Sequence, residues 1–354
     1  MSAKDLSHVD PKSTLTMSKV TTFGSLEESE RALHSAEKSL EINSNDAYAW
    51  YQKGAALNNL NRYEEAMKSF NRATEIQPNL AIAWYNKGSA LAALGEYEEA
   101  MKSFDIGISI NPNDPRTWYY KGAALVNNIR NYKQALECLD KSIEIDPKTN
   151  PAAWTDRGAA LANLGEYDEA ITSYDKAIEI LPDDARAWAD KGAAFVKLEK
   201  YEEGLKDYDK ALQICPTDIY IMNHKGALLL KLKKYEEALS YLDMALELSP
   251  NNSIALFNKG VALNNQRRYK EAVEIYDKVI EIGDNLFKTW YNSGISLANL
   301  GNYEEAVKSY DKALELSPDD AQTIYEKAIS LNNLGKHKDA KKLVNKARDI
   351  GLNV

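Results

Sequence analysis

From Ala81 the chain reads AIAWYNKGSALAALGEYEEAMKSFDIGISINPND, and thirty-four residues later it begins again with changes. Aligned on Trp84, further copies fall at Trp118, Trp154, Trp188, Met222, Leu256, Trp290 and Ile324, with Trp50 one period upstream, making nine. Self-similarity at this period marks a supersecondary unit that cannot bury its apolar face alone and must stack on its neighbours. Burial is therefore spread along a line, and one elongated domain is expected.

With Ala81 as position 1, Trp84 is 4, Gly88 is 8, Leu91 is 11, Ala100 is 20, Phe104 is 24 and Pro112 is 32. Positions 4, 8 and 11 share one helical stripe, and 20, 24 and 27 share another, because spacings of three and four residues lie on one helix face. Gly95 supports a helix-ending turn between them. Each unit therefore reads as helix, turn, helix. Small residues at 8 and 20 let the two helices approach, bulk at 4 and 24 fills the space beside them, and Pro112 closes the second helix.

The set Trp at 4, Gly at 8, Tyr at 17, Ala at 20, an aromatic at 24, Ala at 27 and Pro at 32 resembles the tetratricopeptide repeat (TPR). The resemblance runs from about Ser25 to Val354, roughly nine-tenths of the chain. It implies an all-α fold, a right-handed superhelical solenoid of helix-turn-helix repeats, whose concave groove binds segments of other proteins.

Along the chain, residues 1–24 are polar, carry Pro11 and lack periodicity, and a flexible N-terminal tail is expected there. Residues 25–46 read as half a repeat, opened by a capping box of Ser25 and Glu28 and running as helix to about Ile42. Nine repeats follow over 47–354, and with the half-repeat they form a single solenoid, 25–354. The third repeat, 115–150, is two residues longer: one extra residue lies within 127–131 and the other within 148–150, both expected as stretched loops. The seventh replaces its closing proline by Gly283-Asp284. In the ninth, Lys341 and Arg348 stand where the eighth has Val307 and Leu314, so no further helix is expected to dock there.

The formal charge of −9 argues against a surface that tracks nucleic-acid phosphates or an anionic membrane. Much of the acid, such as Glu64-Glu65 and Glu98-Glu99, opens second helices, where carboxylates complement the helix dipole. Two cysteines, Cys138 and Cys215, suggest neither a disulfide framework nor a metal site, and a cytoplasmic protein is expected. The N-terminal stretch has no apolar core of a signal peptide, and no run of eighteen apolar residues occurs. His8, His34, His224 and His337 are scattered, without a metalloprotease pair, phosphate loop or nucleophile triad. No enzyme activity, cofactor, metal or catalytic residue is expected.

A cation recurs at position 7 (Lys53, Lys87, Lys121, Arg157, Lys191, Lys225, Lys259, Lys327) and an aspartate at 25 (Asp105, Asp140, Asp175, Asp209, Asp243, Asp277, Asp311). Such a pattern suits a ladder of ion pairs, with the partners either inside one repeat or in neighbouring ones. The resemblance places positions 2, 5, 6, 9, 12 and 13 along the groove. There Tyr48, Tyr51, Tyr85, Asn86, Arg116, Tyr119 and Tyr120 form one candidate peptide-binding set, and Phe257, Asn258, Lys288, Tyr291, Asn292 and Tyr325 another. Position 5 loses its ring in Thr155, Ala189 and Asn223, and this middle region carries charges instead, among them Asp156, Arg186 and Asp190. Asn at positions 6 and 13 offers both donor and acceptor to a peptide backbone, or simply favours the turn. The clamp by which some family members hold a C-terminal carboxylate is broken here, since Tyr51 and Ala55 stand where its first Lys and Asn belong. The resulting expectation is a non-catalytic scaffold or adaptor binding a protein or peptide partner, with self-assembly into homo-oligomers as the alternative.

Overall fold

The computed structural model describes residues 23–283 and 286–352. Among them are nineteen α-helices, one π-helical turn and no strand. The first helix, α1 (Phe23–Ile42), is followed by pairs: α2 (Ala47–Asn59) with α3 (Tyr63–Ile76), α4 (Ala81–Leu94) with α5 (Tyr97–Ile110), and α6 (Pro115–Ala124) with α7 (Tyr132–Ile145). Next come α8 (Pro151–Leu164) with α9 (Tyr167–Ile180), and α10 (Ala185–Lys197) with α11 (Tyr201–Ile214). The last four pairs are α12 (Ile219–Lys231) with α13 (Tyr235–Leu248), α14 (Ser253–Asn265) with α15 (Tyr269–Glu281), α16 (Phe287–Asn299) with α17 (Tyr303–Leu316), and α18 (Ala321–Asn333) with α19 (His337–Asp349). Every first helix opens at position 1 of its repeat. The helix α1 begins at Phe23, two residues before the start expected from the sequence, so Ser25 lies within it. Residues 1–22 fall outside the described residues, as does Asp284.

The helices fall into two compact units, one ending at Ile214 and one starting at Cys215. In the first, α1 packs on α2, the second helices α3, α5, α7 and α9 each pack on the next first helix, and α2, α4, α6, α8 and α10 touch in succession. In the second, the same stacking links α12 to α19, with α12, α14, α16 and α18 in succession. Each unit thus presents a face made of first helices alone.

Local chemistry explains these pairs. Aspartate or asparagine at the last position of most repeats caps the next first helix: Asp46 accepts from the amides of Tyr48 and Ala49, Asp184 from Arg186 and Ala187, and Asn252 from Ala255. The turn between paired helices needs one left-handed residue, Gly95 at φ 86° in the second repeat and Gly165 at φ 87° in the fourth. The rings at position 24 lie at the centre of the packing, with Phe70, Phe104, Tyr174, Tyr208, Tyr276 and Tyr310 fully buried. Burying each contributes roughly 1.5–3 kcal/mol. A Cβ on Gly88 would stand 2.8 Å from the Phe104 ring, so glycine at position 8 is what admits the ring at 24.

Tryptophan at position 4 does more than fill space. Its indole N–H donates to the carbonyl at the end of the preceding repeat: Trp84 to Pro78 at 2.8 Å, Trp118 to Pro112 at 2.9 Å and Trp188 to Pro182 at 2.9 Å. In these repeats the ring therefore fastens the inter-repeat loop. In the third repeat the extra residue in 127–131 forms no stretched loop. It is absorbed as the π-helical turn Leu125–Ile129, closed by Arg130 at φ 61°, because one added residue widens a helical turn without breaking the chain direction. The second extra residue does lengthen a loop, where Asp146 accepts from the amides of Lys148 and Thr149.

A candidate binding face on the first helices

In the N-terminal unit, α2, α4 and α6 bring the predicted tyrosines together. Tyr48 and Tyr51 have ring centres 5.4 Å apart, Tyr85 stacks on Tyr120 at 5.1 Å, and Tyr120 meets Tyr119 at 5.2 Å. The Arg116 guanidinium lies over the Tyr85 ring at 5.9 Å. Exposure separates these residues: Tyr48 is 54% and Tyr120 36% exposed, whereas Tyr85 is 3%. Tyr85 supports the surface from below, and burial raises its hydroxyl pKa well above the usual range, Arg116 opposing. Arg116 does not stand free, because its Nε and Nη2 each donate to the Asp114 carboxylate at 3.0 Å. Asn86 donates from Nδ2 to the Ile82 carbonyl at 2.8 Å, which leaves its side-chain oxygen as the acceptor for an N–H.

Further along this unit, the plainer middle is a charged knot. Asp156, 1% exposed, accepts from Arg186 Nη2 at 2.8 Å, and Arg186 Nε lies 3.5 Å from Asp190. Burial raises the Asp190 carboxyl to about 6, with Arg186 opposing and Asp156 and Asp184 adding to the rise. Thr155, in place of a tyrosine at position 5, shares a hydrogen bond with the capping Asp184 at 3.3 Å. At Thr155 loss of the ring at position 5 thus goes with a polar tie to the next cap.

The C-terminal unit carries the second predicted set on α14, α16 and α18. Phe257 packs on Tyr276 at 6.2 Å, Tyr291 on Tyr310 at 6.3 Å, and Phe287 stacks on Tyr291 at 6.0 Å. Lys288, Tyr291, Asn292 and Tyr325 are half-buried, while Asn258 is covered to 8% exposure and contributes little free surface. Asn292 donates to the Lys288 carbonyl at 2.8 Å, as Asn86 does to Ile82. At position 13, Asn163, Asn265, Asn299 and Asn333 make the same bond to the carbonyl four residues earlier. Ile329 at position 9, which nothing in the sequence singled out, is 41% exposed, where the first six repeats carry Ala or Ser and the next two Val261 and Ile295.

The repeated cation and anion pair across repeats. Lys121 meets Asp105 of the preceding repeat at 2.6 Å, Arg157 meets Asp140 at 2.6 Å, Lys191 meets Asp175 at 2.8 Å and Lys259 meets Asp243 at 2.6 Å, with Lys327 and Asp311 likewise paired. These cations belong to the stacking and leave the first-helix face to the aromatics. Among the described residues, no group of three His, Cys, Asp or Glu is placed to hold a metal ion, and no helix is long and apolar enough to cross a membrane.

Tetratricopeptide repeat models match residues 47–80, 81–114, 151–184, 185–218 and 287–320, and further models of that repeat match 115–149, 207–240 and 225–286. Among solved structures, a tetratricopeptide repeat protein from Parabacteroides merdae is 19% identical with a TM-score of 0.53, over 68% of this chain and 94% of that one. PilF of Pseudomonas aeruginosa is 21% identical with a TM-score of 0.52, over 57% of this chain and 91% of its own. The Cut9–Hcn1 hetero-tetramer gives 13% identity and a TM-score of 0.50 over 93% and 91%. At these identities the likeness is one of fold. No curated protein matches the chain by sequence.

Proposed function

The chain belongs to the tetratricopeptide repeat family, a family of protein-interaction scaffolds, and from that membership we propose that it is a non-catalytic adaptor holding a peptide segment of a partner protein. The contact surface in this reading is the first-helix face of α2, α4 and α6. One observation carries it: two exposed rings, Tyr48 and Tyr120, are held in place by neighbouring rings, with Tyr85 fully buried beneath Tyr120. Rigid aromatic area lost from solvent is the commonest source of binding energy at protein interfaces. Asn86 adds an acceptor for a backbone N–H. Because Arg116 is neutralised by Asp114, the face has no free cation there to grip a carboxylate, in keeping with the broken clamp. The net charge of −9 speaks against nucleic-acid partners.

The test begins with affinity capture and identification of the bound protein. Titration of that partner should then show that Tyr48→Ala with Tyr120→Ala weakens binding by about 2 kcal/mol or more, the usual size of a hot-spot loss. Tyr48 is solvent-exposed but Tyr120 covers Tyr85, so helicity should change little while the unfolding midpoint falls modestly, and affinity is compared at a temperature where both proteins are folded. Undiminished affinity in the double variant would place the interface elsewhere.

A further inference from the structure

Positions 21 and 28 belong to the face that a second helix offers to the next first helix. Position 21 is apolar in every repeat from Met67 to Val307, and position 28 in all of these but the first, which has Thr74. In α17, Val307 and Leu314 are half-buried where α18 packs on that helix. On α19 the same positions are Lys341 and Arg348, both exposed. Two further exchanges act in the same direction. Lys338 stands at position 18, where six repeats carry Asp or Glu, although the helix dipole opposes a cation in the first turn. Asn345 stands at position 25, where seven repeats carry the ladder aspartate, so the anion that would offset these cations is gone. Spacings of three, four and three residues put Lys338, Lys341, Asn345 and Arg348 on one face of α19, and all four are exposed.

A face that only keeps a helix solvated needs charge, but not charge of one sign. Between Lys336 and Arg348 stand six lysines and arginines against Asp339 alone, on a chain whose net charge is −9. Lys346 belongs to the fold, 3.8 Å from Asp319 and donating to the Pro318 carbonyl at 3.4 Å, and Lys342 lies 3.9 Å from Asp339. Among the described residues, Lys338 and Lys341 meet no carboxylate. We propose that this face docks an acidic helical segment of a partner protein, whose carboxylates lie along one side and meet Lys338, Lys341 and Arg348. The matching face of α17 seats a helix; closed to an apolar helix, that of α19 is open to an acidic one. A nucleic-acid duplex or an anionic membrane would extend beyond α19 over a chain that is otherwise more acidic still, whereas a peptide helix needs to touch α19 alone. The site is additional to the tyrosine face and selects its partner by charge complementarity.

The experiment uses the full chain and two labelled synthetic helical peptides of identical composition, built from alanine, glutamine and glutamate. One carries its glutamates along a single face and the other distributes them around the helix, and binding is read by fluorescence anisotropy at low salt. The one-faced peptide should bind about tenfold more tightly than the other, and Lys338→Glu with Lys341→Glu should weaken it about tenfold, the size of two reversed ion pairs in water. Lys206→Glu with Lys308→Glu changes the net charge equally from exposed positions on α11 and α17 and should leave the affinity unchanged. Tyr48→Ala with Tyr120→Ala should also leave it unchanged, which keeps this test apart from that of the tyrosine face. Equal binding of the two peptides, no binding of either, or equal losses in the two charge-reversed proteins would overturn the proposal. So would duplex DNA or phosphatidylserine vesicles binding more tightly than the one-faced peptide and released by Lys338→Glu with Lys341→Glu, which would give the face to phosphate. A dimer of the chain abolished by that same variant would give it to a second copy and overturn the proposal as well.

Discussion

Asp207 stands at position 23, where Ser69, Ser103 and Ser173 each donate a hydroxyl to a backbone carbonyl one turn back. An ionised carboxylate cannot donate, and Oδ2 of Asp207 is buried without a hydrogen-bond partner, 3.8 Å from Lys191, which Asp175 holds at 2.8 Å. Burial therefore raises its carboxyl to about 6 from 3.8, with Lys191 opposing and Asp175 and Glu203 adding. Between those values the folded state holds a proton that the unfolded chain has released, so stability from this residue falls as pH rises from about 4 to about 6 and stays lost above. Asp207→Ser should raise stability at pH 7 by about 1–3 kcal/mol, with the difference from the parent vanishing near pH 4. Urea unfolding at both pH values measures it, and equal midpoints at pH 7 would show that Lys191 already compensates the charge. Nothing in the sequence marked this aspartate, because its cost depends on which of two carboxylates Lys191 reaches.

For whole elements, the sequence was most legible where chemistry is local. Glycine or a polar residue after each first helix, and Asp, Asn or Pro at the start of all but α4 and α16, place the helix boundaries. The repeated Lys and Asp announced a ladder, but its crossing from one repeat to the next is a property of stacking and had to be seen. The same holds for Tyr85, which reads as a groove residue and is covered once Tyr120 of the next repeat lies on it. The π-helical turn was illegible because an added residue does not say whether it widens a helix or a loop. The ladder supplies its own test at the first full repeat, where Asn71 occupies position 25 and Lys87, its counterpart sixteen residues on, is half-buried over the Trp84 ring. Burial lowers the Lys87 pKa, with only Glu75 opposing. Asn71→Asp should complete the rung and stabilise the unit by up to about 1 kcal/mol, an increment that fades in 1 M salt. A destabilised variant would mean that the spacing of sixteen residues does not bring these two side chains together.

At the scale of the molecule, the two units repeat one plan: first helices supply a face, second helices carry the packing rings, and ion pairs join neighbours. The last second helix departs from it, since Lys341 and Arg348 are exposed on α19 where Val307 and Leu314 of α17 are half-buried under the next helix. Changing both to leucine should promote association of chains, seen as a rise in apparent mass by light scattering across a concentration series. A double variant that scatters like its parent at every concentration would remove these residues from any capping role. The central claim, that partners are held on the first-helix face of the N-terminal unit, is tested most directly by photocrosslinking. A benzophenone amino acid would replace Tyr48 or Tyr120 on that face, or Glu98 on the exposed start of α5. The account predicts that the captured partner crosslinks from Tyr48 and Tyr120 and not from Glu98. Crosslinking from Glu98 alone, or equally from all three, would contradict it.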